Sequence, residues 1–153
     1  MYEFVLTLHS WLRWIVLLLG IIVISGNYKG WKSSLPYIGM NKKLNTFFIA
    51  SLHTQLVLGL FLYFGISPMM KNILADFGGS MHDKELRFWS VEHMMGMILA
   101  IAIAQIGSIK AKKQPTDALK YKTAFIWFTI ALVLIVLMIP FGIWNVERPF
   151  FRM

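Results

Sequence analysis

Four long apolar runs, separated by polar connections, set the reading of this chain. The first runs from about Phe4 to Ser25, the second from about Thr46 to Gly65, the third from Arg87 to Ser108 and the fourth from about Thr123 to Trp144. Each is long enough, at about 1.5 Å of helix rise per residue, for the ~30 Å hydrocarbon core of a bilayer. The pattern predicts an all-α integral membrane protein, an up-down four-helix bundle in a single domain covering residues 1–153. The connections are Asn27 to Asn45, Ile66 to Leu86 and Ile109 to Lys122, with a short surface helix expected over Lys71 to Phe77. Pro140 interrupts the fourth run, and the tail after Trp144 is amphiphilic. An N-terminal apolar run can also be a cleavable signal. Glu3 before it, Arg13 within it and the basic residues after it read instead as a retained helix.

Composition agrees with the pattern. Hydrophobic residues make up 58% of the 153, and charged residues only 14%, against about a quarter in a soluble domain. No cysteine is present, which excludes c-type haem attachment, thiolate iron–sulfur clusters and disulfides. The net charge of +8 does not point to nucleic acid. Nine lysines fall in the first and third connections, and the second is near neutral. Basic connections stay cytoplasmic, so both termini and the second connection are expected on the outer, periplasmic side of a bacterial inner membrane. Trp11, Trp14, Trp89 and Trp144 then sit toward the outer ends of the spans, as an interfacial aromatic belt would.

The chemistry lies in the few polar residues within the spans, which are costly there and functional candidates by default. Helix rise gives their depth. His9 is five residues after Phe4 and His93 five after Phe88, so both lie roughly 8 Å below the outer surface. On the same scale Arg13 lies at about 14 Å, Gln55 at about 15 Å and His53 at about 18 Å. This predicts an outer layer of His9, His93 and Glu92 and a middle layer of Arg13, His53 and Gln55. Spans one and three are diagonal in an up-down bundle. Histidines at equal depth on diagonal helices suit the two axial positions of one haem b, and imidazole is a good iron ligand. Gly96, three residues after His93, opens a small-residue stripe with Ala100, Ala104 and Ser108, which could seat a planar macrocycle or an ordinary helix contact. Arg87 stands where it could pair with haem propionates.

Other roles remain open. Arg13 and Glu92 could simply neutralise each other. His53 and Gln55 could bind a quinone carbonyl or make plain interhelical hydrogen bonds. His82, with Asp76, Asp83 and Glu85 nearby, matches no metal-ligand spacing and reads as a solvated loop. Met94, Met95, Met97, Met69 and Met70 suit Cu(I) in type, though gap-filling in an apolar bundle explains them more simply. No nucleophile–base set, phosphate loop or dinucleotide fingerprint occurs.

The segments LHSWLRW, HTQLVLGLFLYF, RFWSVEHMMGMILAIA and KKQPTDALKYK cover most of the chain. Together they resemble small four-span membrane proteins of Bacteroidota that are labelled cytochrome b-like. The resemblance implies a four-span fold, attention to His9, His53 and His93, and electron transfer. The motifs are not those of the larger cytochrome b with two stacked haems. The expected function is a membrane haem b protein carrying electrons in or beside a respiratory chain, with a quinone as a further ligand. The alternatives are a non-catalytic structural or assembly subunit of a larger inner-membrane complex, and a haem- or copper-handling factor.

Overall fold

The computed structural model describes residues 1–141 and 146. Four helices in it are long and apolar enough to cross a membrane: Tyr2–Lys32, Gly39–Ile66, Lys84–Lys112 and Asp117–Leu137. The elements are α1 (Tyr2–Lys32), α2 (Gly39–Leu60), α3 (Pro68–Ala75), α4 (Phe77–Ser80), α5 (Lys84–Arg87), α6 (His93–Lys112) and α7 (Asp117–Leu137). Two wider, π-type turns extend these helices. Phe61–Ile66 continues α2, and Phe88–Glu92 joins α5 to α6.

The helices are longer at the lysine-rich end than the hydrophobic runs imply. α1 runs on past Ser25 to Lys32, and α2 begins at Gly39 rather than Thr46. Polar residues do not end a helix; loss of backbone geometry does. The break comes at Ser33–Ile38, where Ser34 takes a positive φ of 49° and Pro36 removes a donor. A helix of 31 residues is about 46 Å long, so α1 exceeds the hydrocarbon core by several turns. α7 starts at Asp117, with the Thr116 hydroxyl accepting from Leu119 N at 3.3 Å. It ends at Leu137, short of the expected boundary, as the chain approaches Pro140. Trp144 lies outside the described residues. Where one surface helix was expected over Lys71 to Phe77 there are two, α3 and α4, divided at Asp76, and α3 buries Met70 and Ile73. Ser67 caps α3 with Pro68 at its first position, and Asp76 caps α4.

α1 packs on α2 and α7, and α6 packs on the same two helices. α1 and α6 are therefore diagonal, as are α2 and α7. The α6–α7 seam is the most extensive and the α2–α6 seam the loosest of the four. Small residues explain the first: Ala100, Ala104, Ala124 and Ala131 are fully buried and let the backbones approach. Across the axis, Phe48 of α2 meets Phe128 of α7 edge to face, with centroids 5.3 Å apart. These two rings fill the bundle centre in the half nearer the lysine-rich connections.

A polar clasp closes that end. Asn27 and Asn45 are buried and exchange side-chain hydrogen bonds, Asn27 Nδ2 to Asn45 Oδ1 at 2.8 Å and Asn45 Nδ2 to Asn27 Oδ1 at 3.0 Å. Asn45 Nδ2 also donates to the Tyr37 hydroxyl at 2.9 Å. The Tyr121 hydroxyl donates to the Pro36 carbonyl at 3.0 Å and accepts from Asn41 Nδ2 at 3.1 Å. The Asn27–Asn45 pair ties α1 to α2, and the Tyr121 hydroxyl holds the α1–α2 connection against α7.

Candidate functional site

At the opposite end of the bundle the axis is open. A cavity there is lined by His9, Ser10 and Arg13 of α1, by Gln55 and Gly59 of α2, and by His93, Met94 and Met97 of α6. Leu52, Val16, Ile101 and Ile135 form its floor, one to two turns from the Phe48–Phe128 pair. Ser67, Met69 and Met70, at the start of α3, lie over it. The cavity has a volume of about 190 Å³ and is continuous with the outside. The walls are mainly apolar with a few convergent polar groups, the usual make-up of a ligand site.

The two π-type turns explain why the bundle opens here. A π-turn holds one extra residue per turn and widens the helix locally, and such turns concentrate at functional sites. Phe61–Ile66 and Phe88–Glu92 stand at the same end, on the two helices with the loosest seam. They are tied together by the Tyr63 hydroxyl, which donates to the Ser90 carbonyl at 2.9 Å. Nothing in the hydrophobic pattern signals either turn.

The two histidines arrive from diagonal helices. Each imidazole lies within electrostatic reach of Arg13, and His9 within reach of His93. His93 Nδ1 is 2.8 Å from the carbonyl oxygen of Met138. A carbonyl only accepts, so Nδ1 carries the proton and Nε2 keeps its lone pair. The His93 ring also packs beside Trp89 and Phe88, with centroids 5.4 and 5.9 Å away. The His9 ring sits against α2, where a Cβ added to Gly59 would lie 3.3 Å from His9 Cε1. His9 Nδ1 is buried with no hydrogen-bond partner among the described residues. Gln55 Nε2 donates to the His9 backbone carbonyl at 2.8 Å, and its Oε1 is buried and unpartnered among the described residues. The Arg13 guanidinium lies 3.5 Å from Ser10 Oγ and stacks near Trp14 and Phe141, 5.3 and 5.7 Å from their centroids.

Several sequence expectations need correction. Gln55 and His9 are joined by a hydrogen bond, so Arg13 and Gln55 belong to the same cavity as His9 and the two-layer division fails for them. Helix tilt and the π-turns break the simple depth scale. His53 is exposed on the outer face of α2, with Nδ1 on the Ile49 carbonyl at 3.0 Å. It lies away from Gln55 because two residues along a helix turn the chain by about 200°. Gly96 does not line the cavity: Met138 fills the space beside it, and a Cβ there would collide with the Met138 sulfur. The small-residue stripe serves the α6–α7 seam. Glu92 pairs with Arg87, Nε to Oε1 at 2.8 Å, rather than with Arg13. That ion pair is partly exposed and outside the cavity lining. Gly59, Trp89, Tyr63 and the Met138 carbonyl were missed. Only Gly59 had a legible signal, as a glycine inside an apolar helix.

Near His82 the acidic residues have local duties. Asp76 Oδ1 accepts from Gly79 N and Asp83 Oδ1 from Leu86 N, both as helix caps. Among the described residues no group of three or more His, Asp or Glu could hold a metal ion. An iron in a macrocycle asks for less, since two protein ligands complete its coordination.

The site's residues suit a haem on three counts. The cavity has two imidazoles on diagonal helices, one ring is oriented with a free Nε2, and the walls are otherwise mainly apolar. Among the described residues nothing bonds His9 Nδ1, so none of them fixes that ring's tautomer. Comparison with family models, curated proteins and solved structures finds no match to this chain.

Proposed function

We propose that the chain is a multi-pass membrane protein that binds one haem b between His9 and His93 and carries electrons in the bacterial inner membrane. The observation that carries this reading is the His93–Met138 hydrogen bond, which holds the ring by Nδ1 and would leave Nε2 to ligate iron. Such outer bonds are the usual companion of a ligating histidine. Bound haem would supply a reversible one-electron iron couple. The chain's own contribution is to hold His93 by Nδ1 and to wall the site with aliphatic side chains. Arg13 places a positive charge beside it, which favours the more negative, reduced state of any redox group there.

Gln55 extends the reading to quinol. Its buried Oε1 can accept from the hydroxyl of a hydroquinone entering from the bilayer. Neither His53 nor Arg87 takes part. With nine lysines at the clasp end, the cavity end faces the periplasm by the positive-inside rule.

The test is a reduced-minus-oxidised spectrum of the purified full chain, with a pyridine haemochrome assay. One haem b per chain, lost or turned high-spin in both His9→Ala and His93→Ala, supports the reading. An unchanged low-spin spectrum in both variants rejects it. A second reading rests on four methionines, Met69, Met70, Met94 and Met97, which line the same cavity. With two imidazoles they form a soft donor set for Cu(I). A colourless protein that retains one copper per chain, and loses it on Met94→Leu/Met97→Leu, would select that reading.

A further inference from the structure

At the clasp end, the groove between α1 and α7 carries a cluster with no role in the cavity. Trp31 and Tyr28 of α1 meet Phe125 of α7, with centroids 6.0 and 5.4 Å apart. Two lysines stand over the indole. Lys32 Nζ is 4.3 Å and Lys122 Nζ 5.4 Å from the Trp31 centroid. The two ammonium groups are therefore no more than about 10 Å apart. Among the described residues neither ammonium pairs with a carboxylate: Asp117 is taken by Lys120 at 2.8 Å, and Arg87–Glu92 is at the other end. Two cations brought together over one ring repel each other, and cation–π attraction offsets that only in part.

The surroundings say what completes the site. Tyr28 is exposed and Trp31 and Phe125 are half-buried, so in a bilayer one side of the cluster would meet acyl chains. The lysines emerge one turn further along, at the level where a helix leaves hydrocarbon. The whole end bears nine lysines against one acid in the two connections. Basic grooves between spans at this level bind anionic lipid head groups.

We propose that Lys32 and Lys122, flanking Trp31, form a site for the phosphodiester of one anionic phospholipid of the inner leaflet. Each ammonium lies over the ring and keeps the N–H donors that point away from it for phosphate oxygens. The glycerol backbone would rest on Tyr28 and Phe125, and the acyl chains would run along the α1–α7 seam.

The experiment is native mass spectrometry of the full chain in detergent, offered phosphatidylglycerol or phosphatidylcholine of the same acyl composition. Wild type should retain one phosphatidylglycerol under activation that strips phosphatidylcholine. Lys32→Gln/Lys122→Gln should lose retention about tenfold or more, and Lys32→Arg/Lys122→Arg should keep it. Lys42→Gln/Lys43→Gln removes the same charge away from the rings and should also keep it. Equal loss in the two glutamine variants would mean diffuse attraction and overturn the site. Equal retention of the two lipids, or no retained lipid on wild type, would overturn it as well.

Discussion

His93 Nδ1 and the Met138 carbonyl oxygen are 2.8 Å apart, and through them α6 is pinned to the chain just beyond the end of α7. Met138 is the first residue past α7, so its carbonyl has no helical donor waiting for it. A helix end that needs a donor and an imidazole that needs orienting satisfy each other. His93→Ala should therefore abolish low-spin haem and also loosen the α6–α7 seam. His93→Met, which offers a ligand without the Nδ1 donor, should bind haem more weakly than wild type. Absorption spectra on reconstituted protein distinguish the outcomes.

Gly59 should be intolerant of bulk. A Cβ there already lies 3.3 Å from His9 Cε1, and further atoms would displace the ring. Gly59→Val should shift the spectrum toward high spin, with a helix content by circular dichroism equal to wild type. A spectrum unchanged in Gly59→Val would show that the His9 position is not needed.

His53→Ala should leave any haem spectrum and quinol reactivity as they are, because the ring faces out of the bundle. Loss of haem in that variant would make His53 a ligand and break the His9–His93 assignment.

The reciprocal amide pair at the clasp end is a stability element. Asn27→Ala takes the donor from the buried Asn45 Oδ1, and Asn45→Ala takes it from Asn27 Oδ1, at a cost of about 1–3 kcal/mol. The double substitution should cost less than the two added together, since neither orphan remains. Equilibrium unfolding in mixed micelles would measure this coupling, and strict additivity would refute it.

Orientation can be read chemically because the chain has no cysteine. In intact spheroplasts, His82→Cys should react with a membrane-impermeant thiol reagent. Lys43→Cys should react only after lysis. The reverse pattern would place the cavity on the cytoplasmic side.

The four spans were legible because hydrocarbon length imposes a long apolar run, and their diagonal relation because short connections force neighbours to be antiparallel. That His9 and His93 reach one cavity from diagonal helices followed from that order. What the sequence hid was rotation. His53 and Gln55 are two residues apart, and only contact with α1 tells which one faces inward. Gly96 looked like space for a ligand because a missing side chain does not say what fills the gap, here Met138. The helix ends at Lys32 and Gly39 were obscured because the lysines that flank the apolar runs are also good helix formers.

The wide turn at Phe88–Glu92 works as a local frameshift. It lodges an extra residue just ahead of His93, so the face presented by Arg87 is offset from the face presented by α6. Deleting one residue from that turn would let it close as an ordinary α-helical turn, with the residues on either side keeping nearly the same faces. The turn therefore acts as a buffer of chain length: a residue gained or lost there is taken up locally, and neither Arg87 nor His93 has to leave its face.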